Sequence, residues 1–142
     1  MLRGVRQHRD SVRLSVKRGL TEITSRVQEV VRASGIVDGL CTIFVRHTSA
    51  SLVIQENADP SVRRDLTAFM DRWVPDGEPL FSHVLEGPDD MPAHMKAAVL
   101  PVSLSVPVNT GDLALGTWQG IYLWEHRDGA GRREILVHVL GD

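Results

Sequence analysis

Residues 120–140, Gly-Ile-Tyr-Leu-Trp-Glu-His-Arg-Asp-Gly-Ala-Gly-Arg-Arg-Glu-Ile-Leu-Val-His-Val-Leu, hold two runs of strand-forming residues around a knot of turn formers. From Gly120 to Arg127 the side chains are rich in β-branched and aromatic types, and from Arg133 to Leu140 polar and apolar positions alternate, the period-2 signature of a half-buried strand. Asp128-Gly129-Ala130-Gly131 supplies the residues of a tight turn, so the stretch predicts a terminal β-hairpin. On its first arm Ile121, Leu123, Glu125 and Arg127 share one face.

Upstream, the same period predicts strands at Ser11–Lys17, ended by Gly19, and at Leu40–Val45, Ser51–Gln55, Ser103–Val108 and Leu113–Leu115. In the Leu40 strand Cys41, Ile43, Val45 and His47 fall on one face. Between strands lie two helical stripes. Ile23, Val27, Val30 and Val31 mark a helix over Thr21–Ala33 with Thr21 as its cap, and Val62, Leu66, Phe69, Met70 and Trp73 mark a second that starts at Asp59-Pro60. Pro75–Pro92 carries five acidic residues and no Lys or Arg, and reads as a long ordered loop before a brief helix over Ala93–Leu100. Strands and helices mix without regular βαβ alternation. The expectation is α+β: one domain over 1–142 of packed, mainly antiparallel β-sheets with two main helices and one short one.

Composition narrows the function classes. Sixteen Lys plus Arg against eighteen Asp plus Glu leave a net charge of −2, with no cationic surplus for non-specific nucleic-acid binding. The longest apolar run, Ala97–Val102, is far too short to span a membrane. Arg3, Arg6, Arg9 and Arg13 crowd the start where a signal peptide would need an apolar core, and the lone Cys41 can form neither an intrachain disulfide nor a thiolate metal site, so the expected compartment is the reducing cytoplasm.

No Walker loop, dinucleotide fingerprint, Gly-x-Ser-x-Gly elbow or His-Glu-x-x-His helix is present. Polar and ionisable residues gather instead in His47–Ser51, Gln55–Pro60, His83–His94 and Gly116–Gly120, each at the end of an element. His47 is expected to be partly buried beside hydroxyls, as a core histidine or a ligand. His83 and His94 bracket Glu86, Asp89 and Asp90, carboxylates suited to ligation, to orienting imidazoles or to proton transfer. His8 is read as part of a mobile terminus, and His126 and His138 as strand-face residues. Glu125 beside Arg127 fits either a general base or an ion pair to Arg132 or Arg133. Trp118, flanked by glycines, fits a ring stacked on a ligand or an interface anchor.

Taken in order, His47-Thr48-Ser49-Ala50-Ser51-Leu52, Glu56-Asn57-Ala58-Asp59-Pro60, His83, Glu86-Gly87, Asp89-Asp90-Met91-Pro92-Ala93-His94 and Leu115-Gly116-Thr117-Trp118-Gln119-Gly120-Ile121-Tyr122-Leu123 with Glu125 and Arg127 resemble the YjbQ-like family, whose members are often labelled secondary thiamine-phosphate synthase enzymes. The resemblance runs from about Gly19 to Gly141. It departs at Pro101-Val102, where the family usually has a glycine, which bears on a turn and on no expected ligand.

The resemblance implies a homotrimer of packed sheets with polar motif residues near subunit boundaries. It also implies a site in which His47, His83 and His94 hold a divalent transition metal, zinc foremost. Thr48, Ser49, Asn57, Thr117 and Gln119 would then bind an anionic, phosphorylated small molecule, and Glu125, Asp89, Asp90 and Arg127 would serve catalysis. Two reactions suit such a site: thiamine-phosphate formation from a pyrimidine diphosphate and a thiazole phosphate, and metal-assisted attack of water on an ester or phosphoester. The alternatives are a trimer that binds a metal or anionic metabolite without turnover, and a purely structural trimer. No nucleic-acid or membrane partner is expected.

Overall fold

A computed structural model describes residues 4–129 and 131–142. Arg3 of the N-terminal arginine cluster and Ala130 of the expected turn lie outside the described residues. The chain forms strands β1 (Arg6–Ser15), β2 (Gly19–Glu22), β3 (Gly39–Val45), β4 (Ala50–Glu56), β5 (Ser103–Asn109), β6 (Asp112–Leu113), β7 (Gln119–Glu125) and β8 (Arg132–Gly141), with helices α1 (Thr24–Ser34), α2 (Pro60–Trp73) and α3 (Asp90–Val99). All strand pairs are antiparallel, in a five-stranded sheet ordered β1-β8-β3-β5-β6 and a three-stranded sheet ordered β2-β7-β4. The architecture is α+β with sheet on sheet. No helix among the described residues is long and apolar enough to cross a membrane.

The expected terminal hairpin does not form, because β7 and β8 lie in different sheets. Burial explains the separation. Every residue of β7 from Gly120 to Glu125 is buried, so this strand needs a sheet covered on both faces and a partner at each edge, which β2 and β4 provide. The alternating β8 keeps one face solvated and pairs with β1 and β3 instead. The turn residues thus carry the chain between layers.

Between the sheets, Ile43, Val45, Ile135 and Val137 of the larger sheet meet Leu52, Ile121 and Leu123 of the smaller one, and Val27 and Val31 of α1 close the core. Each such side chain contributes about 1.5–3 kcal/mol on burial. The other face of the small sheet buries Val53, Tyr122 and Trp124 against Met70 and Leu66 of α2.

Several expected boundaries shift for tertiary reasons. β1 begins at Arg6 because its whole length pairs with β8, which places His8 opposite Val139 in a strand. Thr21 is no cap: it pairs with Leu123 in β2. α1 starts at Thr24, whose hydroxyl donates to Glu22 and accepts the Ile121 N–H. Asp59 does cap α2, accepting the Ser61 N–H at 2.9 Å. Yet the α2 stripe is wider than the surface it covers, and Phe69 and Trp73 remain 59% and 46% exposed. At Pro101-Val102 both carbonyls accept strand N–H groups, from Leu52 and Val45, so the turn without glycine is closed.

Cys41 is buried and its thiol is pushed up to about 11 by burial. A thiol reagent at pH 8 is expected to leave it unmodified in the native protein and to label it fully in urea; rapid native labelling would contradict this placement.

Candidate functional site

The start of α3 and the loop before it build the densest cluster of ionisable groups. Asp90 opens the helix and His94 stands one turn later on the same side. His83 comes from the preceding loop. Asp90 Oδ2 lies 2.7 Å from His83 Nε2 and 3.1 Å from His94 Nε2. One nitrogen from each ring and one Asp90 oxygen all fall within 4.8 Å of one another. The Asp90 carboxylate is buried, whereas the His83 and His94 side chains are 45% and 32% exposed. Burial pushes the Asp90 carboxyl up, but hydrogen bonding from His83 and the charges of His94 and Arg127 outweigh it and hold the group below the usual carboxylate range.

His94 carries the test of whether these residues suit a metal. Its Nδ1 lies 3.0 Å from the Thr48 carbonyl oxygen, a contact that only an N–H can make. In the neutral ring the lone pair then sits on Nε2, facing a carboxylate oxygen. That arrangement is repulsive unless a proton or a cation lies between. Two imidazole nitrogens and a carboxylate oxygen, with a carbonyl orienting one ring and an exposed side for further ligands, form a donor set that suits zinc and related ions.

Arg127 ties the acidic loop over this cluster. It reaches Asp90 Oδ1 at 3.1 Å, donates to the Glu86 carbonyl at 2.7 Å and lies 3.4 Å from Asp89 Oδ1. Asp89 also accepts the Asp128 N–H. Asp89 and Arg127, expected in catalysis, are thus committed to holding the loop. Gly87 makes the fit close: its φ is 109°, in the left-handed region, and a Cβ there would stand 3.3 Å from Asp89 Oδ1.

Asp90, not His47, completes the cluster with His83 and His94. His47 is exposed rather than partly buried. Its Nδ1 accepts the Ser49 N–H at 3.1 Å and lies 2.9 Å from the Ser49 hydroxyl. The neutral ring therefore carries its proton on Nε2 and offers a donor, not a lone pair. Partial desolvation of its ring and the nearby Arg133 charge lower its pKa below the usual imidazole value. His47 nevertheless lines a hollow of about 280 Å³ together with Thr48 and His94.

The expected anion-binding residues divide. Thr48 and Ser49 lie just before β4, beside the histidines, whereas Asn57 donates to the Thr117 and Gln119 carbonyls beyond the far end of that strand. The separation along the strand is roughly 20 Å. Gln119 closes its own turn by accepting the Gly116 N–H at 2.8 Å. Trp118 is 64% exposed, so most of its surface is uncovered in this chain.

Glu125 is fully buried, and both its oxygens accept from Arg133 of β8, at 2.7 and 2.9 Å. Of the two readings open for Glu125, the ion pair is the one the fold builds, and it joins the two sheets. His126, expected on a strand face, is buried just past β7, with Nε2 2.9 Å from the Ser51 hydroxyl. Its pKa is pushed down to about 3, by burial first and then by the charges of Lys96 and Arg18. As pH falls through about 6.5 the unfolded chain takes up this proton while the folded one does not, so stability declines from there toward pH 3, by up to about 1.4 kcal/mol per unit. Urea midpoints between pH 6.5 and 4.5 are expected to fall for the wild type and to fall less for His126→Gln; parallel slopes would contradict a neutral buried His126.

Glu86 is one of the three carboxylates that the sequence marks as suited to ligation, imidazole orientation or proton transfer. Its carboxylate is 63% exposed and lies 4.0 Å from His83 Nε2. Its position three residues after His83, inside an acidic loop, was the available signal.

The two-sheet α+β fold is shared with known proteins. The profile of the family UPF0047 protein YjbQ-like matches residues 9–142, and the chain belongs to this family. A UPF0047 protein of Synechocystis is 49% identical, with 96% of this chain and 94% of that protein aligned. YjbQ of Salmonella typhimurium is 44% identical over 93% of this chain and 96% of its own. The crystal structure of a YbjQ-like protein of unknown function from Sulfolobus solfataricus superposes with a TM-score of 0.91 at 30% identity, covering 98% of this chain and 100% of that one.

Proposed function

We propose that this protein is a metal-dependent enzyme acting on a phosphorylated small molecule, with zinc or a similar divalent ion held by His83, Asp90 and His94. The observation that carries the reading is the His94 ring, whose Nδ1–H is committed to Thr48 and whose Nε2 faces Asp90. An ion held there supplies Lewis-acid polarisation of a phosphoryl oxygen and a water of lowered pKa. The chain's own residues do the rest. Asp90 provides the compensating charge, Arg127 fixes its second oxygen, and the Glu86 carboxylate is placed to move a proton at the exposed side of His83. A cavity of about 320 Å³ beside His83, lined by Pro79, Phe81, Val84, Pro88 and Met91, suits the apolar ring of a substrate.

The same reading includes a homotrimer. Supporting it, Leu40, Phe44, Leu136 and Leu140 are exposed on the uncovered face of the larger sheet, where Phe44 pairs with Leu136 and Leu40 with Leu140. The expected mass in solution is that of three 15.7 kDa chains.

The test is turnover of a panel comprising para-nitrophenyl phosphate, other phosphomonoesters and the pyrimidine diphosphate plus thiazole phosphate pair, by zinc-loaded and zinc-stripped protein. Metal-dependent turnover is expected, lost in Asp90→Asn and reduced on the order of 100-fold or more in Glu86→Gln. Stoichiometric zinc with no turnover of any member would replace the enzyme by the non-catalytic binding trimer.

A further inference from the structure

The His83–Asp90–His94 cluster adjoins a second feature, in which His47 is the one residue from the motif segments. The β3–β8 register sets Val45 opposite Ile135, and Arg46 N–H then reaches the Glu134 carbonyl. This brings the residues that follow β3 against the start of β8. A cleft of about 310 Å³ results, lined by Arg46, His47, Arg132, Arg133 and Glu134. Three arginines and one glutamate line it. Arg133 is held in place by the buried Glu125, so its orientation is fixed before any ligand arrives. Glu134 is shared between Arg13 at 3.0 Å and Arg46 at 3.5 Å. Among the described residues, Arg132 has no carboxylate partner.

His47 stands between this cleft and the metal cluster. It lines the cleft with the arginines and also lines the hollow that contains His94. With Nδ1 bound by the Ser49 N–H, its outward nitrogen is an N–H donor. A neutral N–H donor beside the unpaired Arg132 guanidinium is a site for an oxyanion, and the forked donors of arginine match a phosphate.

We propose that the Arg46–His47–Arg132–Arg133 cleft is the subsite that takes the phosphate group of the substrate, with Arg132 and His47 Nε2–H as its principal donors. This rests on the metal-dependent reading above: the phosphate is anchored beside His47 and the remainder of the molecule extends past His94 to the cluster. It also gives His47 a role in binding the anion in place of one in holding the metal.

The experiment is calorimetric titration of zinc-stripped protein with inorganic phosphate at low ionic strength, with acetate in parallel, and a separate zinc titration of each variant. Wild type is expected to bind phosphate more tightly than acetate. Arg132→Ala is expected to weaken phosphate binding about 10-fold or more. His47→Asn, which keeps an acceptor for Ser49 and removes the Nε2–H, should weaken it similarly. Both variants should bind zinc as wild type does, and Asp90→Asn should bind phosphate as wild type does. Arg46→Ala, an exposed position, is a second cleft variant should Arg132→Ala fail to fold. Phosphate binding that survives these cleft changes but disappears in Asp90→Asn would overturn the proposal while leaving the metal site standing, and equal affinity for acetate would overturn the phosphate assignment. Wild type that binds phosphate through the cleft but no zinc would uphold the subsite and remove the metal-dependent reading.

Discussion

Arg133→Ala is expected to destabilise the protein by about 3–5 kcal/mol, the loss that follows when one partner of a buried ion pair is removed and the other is left uncompensated. Glu125 is fully buried between the sheets and Arg133 supplies hydrogen bonds to both of its oxygens. No water can replace them at that depth, so the carboxylate must take up a proton or drag solvent into the core. The double change Glu125→Gln with Arg133→Met removes both charges at similar volume and is expected to recover most of the loss. Urea denaturation of the three proteins checks this. A loss below about 1 kcal/mol in Arg133→Ala would mean that the pair behaves as a solvated surface bridge.

Asp90→Asn is expected to lower zinc affinity by on the order of 100-fold or more, since losing even an outer-shell partner of a metal site costs 10–100-fold. The amide keeps the volume of the side chain but not its charge, and both His83 and His94 lose the oxygen they share. The same change deprives Arg127 of its anionic partner at 3.1 Å. Loss of zinc should therefore come with a looser acidic loop, seen as faster amide exchange over residues 83–89 than in the wild type. Unchanged affinity would place the metal elsewhere.

Much of the fold follows from periods visible in the chain. Most strands, the two long helices and the Asp59-Pro60 start lie where local pattern puts them, whereas β2 forms where the pattern had started a helix. Pairing was not legible, because a turn sequence such as Asp128-Gly129 constrains the chain locally and does not state which sheet the next strand joins. The decisive quantity was the two-sided burial of β7, already implied by its unbroken apolar run, Ile121 to Trp124. In α2 the apolar stripe is legible as a helix face, but not that Phe69 and Trp73 at its end stay exposed, since burial depends on what lies opposite.

The site was legible in part. His83 and His94 were singled out from the acidic loop, and the carboxylates between them were recognised as suited to ligation. Starting α3 at Ala93 hid the i,i+4 relation of Asp90 to His94, although Pro92 in the first turn is compatible with a helix that begins at Asp90. The tautomer of His47 is set by the Ser49 backbone N–H, a contact that residue spacing does not reveal. The arginines of the cleft are far apart in sequence and meet only through the β3–β8 register.

The most direct measurement is the zinc content of untagged protein after reconstitution and gel filtration, determined by elemental analysis for wild type, Asp90→Asn and His47→Ala. One zinc per chain in wild type and in His47→Ala, with none in Asp90→Asn, is the predicted result. Zinc absent from wild type, or lost with His47 and retained without Asp90, would contradict a metal centre built from His83, Asp90 and His94.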